Sequence, residues 1–301
     1  MTRQEREGVL AFLKANDAPD DMSLADQRAR MDTLASFFPV PDGTEVEQGN
    51  VGGINGERVA ARRARRDGAV LYLHGGGYVV GSPVSHRHLV AAISEATGLA
   101  AFAPDYRLAP EHPFPAAVDD AVAAYKGLID SGIAASNIAI MGDSAGGGLT
   151  IATLVAARER GLPMPGCAVA ISPWADLSQG SEAYRSRKAR DPMITKDGLD
   201  AMAAQYLGGK DARTPLASPL FTDLKGLPPL LIQVGTEEVL YDDSASLHAR
   251  ADAAGVDVGF EAWGGMMHVW HVFHPLLGEG RDAVARIGTF VRNHIAMGAG
   301  Q

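Results

Sequence analysis

The sequence predicts an α/β fold: one mostly parallel sheet with helices on both faces. Three observations carry this. Six short apolar runs recur along the chain, AVLYLH (69–74), AAFAP (100–104), IAIMG (138–142), AVAIS (168–172), LLIQVG (230–235) and VGFEAW (258–263). Gly, Pro or Asp bounds them, as expected of buried strands. Between them lie four runs with helical spacing, HRHLVAAISEATG, FPAAVDDAVAAYKGLIDSG, SAGGGLTIATLVAARERG and DDSASLHARADAAG, each ending in glycine. Glycine is the expected residue just past a helix end. Finally, 301 residues suit one large α/β domain with a small appended lid.

Taken in order, residues 1–40 predict two amphipathic helices, the second running SLADQRARMDTLASFF with Ser23 and Asp26 as a capping box. TEVEQG and ERVAARR then form an antiparallel edge. The basic run RVAARRARR (58–66) leads into Asp67-Gly68 and reads as a solvated strand and turn, not a polyanion site. After the second apolar run, DYRLAPEHPFPA (105–116) braces the site, with Asp105 and Arg107 expected as a buried pair. Cys167 opens CAVAIS and reads as a small core residue. Residues 176–225 are polar and irregular, with DPMITKDGLDAMAAQYLGG expected as a helix pair. Segments 1–42 and 176–225 add no strand and are expected to form a helical cap over the carboxyl ends of the strands, where open α/β sheets bind ligands. The catalytic domain is then 43–175 and 226–301.

Composition narrows the function. Apolar residues make up 46 % and charged residues 21 %, an ordinary globular balance. The net charge of −9 argues against nucleic acid and anionic membranes as partners. No run of 18 apolar residues occurs, so no membrane span is expected, and MTRQEREGVLAFLKAND has no apolar signal-peptide core. Cys167 is alone, which rules out an intramolecular disulfide and fits a reducing, cytoplasmic setting.

GDSAG (142–146) matches Gly-x-Ser-x-Gly where a strand runs into a helix. Such a turn lifts the Ser144 hydroxyl above the sheet, and the new helix aims its N-terminal N–H groups at the same spot. A glycine-rich turn with an N-cap serine reads the pentapeptide equally well. Other residues favour the nucleophile. HGGGYVVGS (74–82) can turn backbone N–H groups inward, so Gly76, Gly77 and Ala145 are the candidate oxyanion donors. No phosphate-loop pattern accompanies these glycines. His74 is expected to hold the loop. The base should follow a late strand, and His268, after FEAWGGMM, fits. His112 sits in a Pro-rich turn, and His86, His88, His248 and His294 fall in helices expected to be exposed. His268, His271 and His274 share a three-residue spacing, yet apolar neighbours make the last two packing or rim residues, and no metal site is expected. The acid should lie in TEEVLYDD: Asp242 or Asp243 suits a helix N-cap, while Glu237 and Glu238 are equally placed to reach an imidazole. The order Ser, acid, His is that of the α/β-hydrolases.

The motifs HGGGYVVGS, DYRLAPEHPFPAAVDDA, GDSAGGGL, GLPPLLIQVGTEEVLYDDS and GMMHVW, spread over residues 70–275, resemble the bacterial hormone-sensitive-lipase-like esterases of the α/β-hydrolase fold. The resemblance implies hydrolysis of small carboxylic esters, a cap from the N-terminus plus an insertion after the sixth strand, no cofactor, and Ser144, His268, Gly76, Gly77 and Ala145 in the roles above. The family's commonest acid pattern is Asp-Pro-Leu-x-Asp; aligning Leu240 and Asp242 with it puts Glu238 in the place of the catalytic Asp. Short- to medium-chain acyl esters are the expected substrates, and Met22, Phe37, Phe38, Tyr78, Asp143, Trp174 and Tyr206 the candidate residues around the substrate. Two other uses of the scaffold remain open at this level: a non-catalytic small-molecule receptor, as in plant gibberellin receptors, which lack the histidine, and amidase or acyltransferase chemistry on the same triad. A homodimer is compatible with the sequence.

Overall fold

The computed structural model describes residues 3–17, 19 and 21–295. Its sheet has eight strands: β1 (Glu45–Val51), β2 (Ile54–Ala60), β3 (Arg65–Leu73), β4 (Leu99–Pro104), β5 (Ile138–Asp143), β6 (Cys167–Ile171), β7 (Leu230–Gly235) and β8 (Val258–Trp263). They lie in the order β1-β2-β4-β3-β5-β6-β7-β8. β1 and β2 pair antiparallel, as does β2 with β4, and all later pairs are parallel.

Strand residues alternate between two cores, as the period of two requires. Leu71, Leu73, Ile140 and Ile232 face a core shared with α4 (Ala116–Asp130), α5 (Ala145–Glu159) and α8 (Tyr241–Ala253). Val70, Tyr72, Met141 and Val169 face α3 (Pro83–Thr97) and α9 (Gly278–His294). Cys167 is fully buried in the second core, and burial pushes its thiol up to about 12, so it is an inert core residue.

The remaining helices are α1 (Arg3–Ala15), α2 (Leu24–Ala35), the single turn α6 (Ala183–Ser186) and α7 (Lys196–Leu207). Of these, α1, α2 and α7 border a cavity with Gly76, Ser144 and His268, which follow the carboxyl ends of β3, β5 and β8. α1 is amphipathic as expected and docks Val9 with Phe38, Trp270 and Phe273. α2 has its Ser23–Asp26 cap but buries none of its residues fully. Polar anchors hold it instead. Arg28 donates to the Val79 and Ala109 carbonyls and forms a two-pronged pair with Glu111, and Asp32 accepts from Ser82. The expected helix pair in 191–209 is one helix, α7. Asp191 takes the N–H groups of Met193 and Ile194 into a turn, and α7 starts only after the Thr195 cap.

Two expectations about charge fail. Asp105 and Arg107 do not pair: both are exposed, and Arg107 instead grips the buried Asp120. His86 and His88 are buried, because α3 lies under α2 and against α9 rather than in solvent.

Candidate active site

Ser144 stands between β5 and α5 at φ 55° and ψ −120°, in the region that favours glycine. The cost of holding a serine there is about 1–3 kcal/mol. Close packing maintains it: a Cβ on Gly146 would run into the Leu73 carbonyl, so helix and strand approach only because glycine is present. Ser144 is 8 % exposed and lines a cavity of about 250 Å3.

The same cavity is lined by Gly76, Gly77 and His268. Gly76 and Gly77 have φ of 111° and 61°, and their N–H groups find no acceptor among the described residues. Ala145 is the first residue of α5, so its N–H has no intrahelical acceptor. Gly76 and Gly77 thus border the space beside Ser144, and Ala145 follows Ser144 directly in the chain. His74 secures the loop from below: its Nδ1 donates to the Gly75 carbonyl, and its ring stacks on Tyr106 at 4.2 Å.

The loop after β7 separates its four carboxylates. Glu238 is completely buried, and its Oε2 accepts from His268 Nδ1 at 2.8 Å. Glu237 faces outward to Arg190 at 3.4 Å. Asp242 accepts from the Ala183 N–H, and Asp243 from the N–H groups of Ala175 and Asp176 and from Tyr184. Neither aspartate caps α8, as the sequence had led one to expect; both reach across to residues 175–184. Of Glu237 and Glu238, Glu238 is the one that points inward, onto His268.

Burial alone would lower the His268 pKa, but the hydrogen bond and charge of Glu238 outweigh it and hold the imidazole above its ordinary value. Burial pushes Glu238 up, opposed by His268, Ser172 and the Gly235 N–H. Asp143, next to Ser144, is held at about 2 despite its burial, because His86 and Tyr72 favour its charged form. Its Oδ1 accepts from Tyr72 at 2.7 Å and from the Gly75 N–H at 3.1 Å. Asp143 touches the cavity, but its carboxylate braces the glycine loop.

Of the other expected wall residues, Phe38 lines the cavity and the rest do not. Phe37 is 58 % exposed and outside the cavity; Phe38, its neighbour, turns inward onto Phe12. Tyr78, Trp174 and Tyr206 are buried behind the cavity, with Tyr78 stacked on Tyr206 at 3.7 Å. Met22 does not reach it. Besides Phe38, the apolar wall comes from Phe12 and Phe273, from Met31 and Leu34 of α2 and from Met193, Leu199 and Met202. Two residues had escaped notice in the sequence. Asp191 accepts from the Val239 N–H beside Glu238, and Ser172 bonds Glu238 directly. An isolated Asp in a polar loop and a Ser at a strand end give no local signal. The three-residue histidine spacing dissolves: His271 is buried and donates to Gln233, and His274 stacks on His88.

A model of the alpha/beta hydrolase fold family matches residues 70–272. The chain belongs to this family. It is 53 % identical over 232 residues to an acetyl-hydrolase of Streptomyces hygroscopicus, covering 77 % of this chain and 78 % of that one. An esterase of Acinetobacter venetianus is 34 % identical over 284 residues, 93 % of each chain. A crystal structure of an esterase from the bacterial hormone-sensitive lipase family superposes with a TM-score of 0.96 at 45 % identity, covering 98 % of this hydrolase and 100 % of that chain. No helix among the described residues of this hydrolase is long and apolar enough to cross a membrane.

Proposed function

We propose that this hydrolase is a serine carboxylesterase acting on short- to medium-chain acyl esters through Ser144, His268 and Glu238. The observation that carries the reading is the 2.8 Å bond from His268 Nδ1 to Glu238 in a cavity shared with Ser144 and the two free N–H groups of the glycine loop. Glu238 fixes the tautomer, so His268 Nε2 is the basic nitrogen. His268 takes the Ser144 proton as Oγ attacks the ester carbonyl. The N–H groups of Gly76, Gly77 and Ala145 receive the oxyanion. The imidazolium, stabilised by Glu238, protonates the departing alcohol. Water then enters, gives its proton to His268 and releases the acid, restoring Ser144. The names of the relatives, acetyl-hydrolase and esterase, agree with this chemistry.

Segments 1–42 and 176–225 form the cap in this reading, since they supply the apolar wall over Ser144. A mostly apolar space of about 250 Å3 suits an acyl chain of a few carbons. The single thiol is compatible with a cytoplasmic setting. A series of nitrophenyl esters from acetate to long chains, run on wild type and Ser144→Ala, tests the proposal. Turnover should peak at short or medium chains and fall by about a thousandfold or more in the variant. A flat response that the substitution leaves intact would end it.

A further inference from the structure

Ser172 follows β6 and is fully buried, outside the cavity. Its φ is 44°, again in the glycine region. Five non-glycine residues among those described share a positive φ: Tyr78, Ser144, Ser172, Gln179 and Val269. Ser144 is the proposed nucleophile, Tyr78 follows the glycine loop, and Val269, at φ 46°, follows His268. Backbone strain persists only where surrounding contacts enforce it, and it gathers at functional sites.

The contacts at Ser172 join the other two members of the triad. Its hydroxyl donates to Glu238 Oε1 at 2.7 Å. The same oxygen accepts the Val269 N–H at 3.2 Å. The Gly235 N–H also donates to Glu238 Oε1, at 2.6 Å. Oε1 is therefore held twice, and Oε2 is left to His268. A glutamate has one more rotatable bond than the aspartate usual in this place. Free rotation about that bond would carry the carboxylate off the imidazole or exchange its oxygens. The main-chain N–H of Gly235 anchors Oε1 to the acid's own loop; only Ser172 ties it to the loop of the base.

We propose that Ser172 is a positioning residue: its hydroxyl sets the rotation of the Glu238 carboxylate and locks the His268 loop to it, so that the imidazole meets Ser144 in one orientation. This rests on the triad reading above. Ser172 touches no substrate, because it borders no part of the cavity. A brace serving only to satisfy the Val269 N–H is the competing role, and the two differ in what they couple.

The test is a cycle of Ser172→Ala and Glu238→Gln, with Ser172→Gly as a second variant whose backbone is relaxed at φ 44°. Thermal unfolding shows that each variant folds. In the wild-type background, loss of the hydroxyl should lower kcat roughly tenfold to a hundredfold with KM within about twofold. In the Glu238→Gln background it should cost less than about twofold, because the group it positions is already disabled. The acid limb of kcat/KM should move to lower pH, in the direction of Glu238→Gln. The carboxylates that bear on His268 are Glu238, Asp191 and Asp143, and all three remain in the Ser172 variants. A loss of equal size in both backgrounds, an acid limb that stays or rises, full activity, or failure of both variants to fold would overturn the proposal. Loss confined to Ser144 and Glu238 variants removes the Ser172 role alone, whereas an inactive wild type, or an active Ser144→Ala, removes the triad reading itself.

Discussion

The two sides of the cavity are built by different means. The side formed by the sheet is polar, strained and closely bonded: Ser144, Ser172 and Val269 hold positive φ, and Glu238, His268 and Ser172 form one hydrogen-bonded chain. The side formed by α2 and residues 193–202 is apolar, its inward residues being Met31, Leu34, Met193, Leu199 and Met202. α2 itself is tethered at two polar points, Arg28 and Asp32. Hydrogen bonds have direction and fix atoms to within tenths of an ångström; apolar contacts fix volume and leave side chains adaptable, methionine most of all. In the proposed function, reaction chemistry belongs to the first kind of wall and choice of acyl chain to the second.

Glu238→Gln attacks the polar side and carries the largest expected effect. It keeps the shape but removes the charge that holds His268 up, so kcat should fall by about three orders of magnitude. The acid limb, which for the wild type should lie above about pH 6.5, should move down. Glu237→Gln, at the salt bridge to Arg190, should change kcat by less than about twofold, and steady-state kinetics of the pair separates the two neighbours.

The next effect lies behind the cavity, where α8 meets residues 175–184. Asp243 is fully buried, its Oδ2 takes three hydrogen bonds, and its Oδ1 has no partner among the described residues. Burial raises its pKa to about 8. The folded chain thus keeps a proton that the unfolded chain releases near pH 4, and this contribution to stability is full below that pH and lost as pH rises to about 8. The slope is up to about 1.4 kcal/mol per pH unit. Asp243→Asn, neutral throughout, should flatten the decline in urea-unfolding free energy over that window; a parallel curve would show that Asp243 is ionised in the fold.

The smallest effect belongs to the apolar side. The Met202 sulfur packs where a Cβ on Gly77 would stand, at the donor loop. Met202→Ala should raise kcat/KM for longer acyl chains relative to acetate by about threefold to tenfold, with little change in the acid limb. An unchanged ratio across the ester series would mean that another residue limits chain length.

The same division explains what the sequence could reveal. Gly76, Gly77 and Ser144 were legible because each turn is coded by adjacent residues whose φ requirements a strand–turn–helix pattern exposes. The alternation of strands and helices was legible for the same local reason. Glu238 over Glu237 needed the family resemblance, because which one turns inward depends on a partner 30 residues away. The wall was hardest: Phe37 and Phe38 are neighbours with opposite fates, decided by how residues 1–40 fold back on distant segments. His86 and His88 looked exposed because helix periodicity gives no hint of a second layer above α3.

The docking of the first helix on the last part of the chain has a consequence during synthesis. Phe12 packs on Phe273, Val9 joins a cluster with Trp270 and Leu277, and Glu5 accepts the Gly278 N–H. A ribosome makes about 5–20 residues per second, so α1 waits many seconds for its binding site to emerge. Until then its apolar face has only Phe37 and Phe38 of its native partners and lacks the seat formed by Trp270, Phe273 and Leu277. His268 emerges in the same stretch, so the nascent chain acquires its proposed base and the seat for its first helix together.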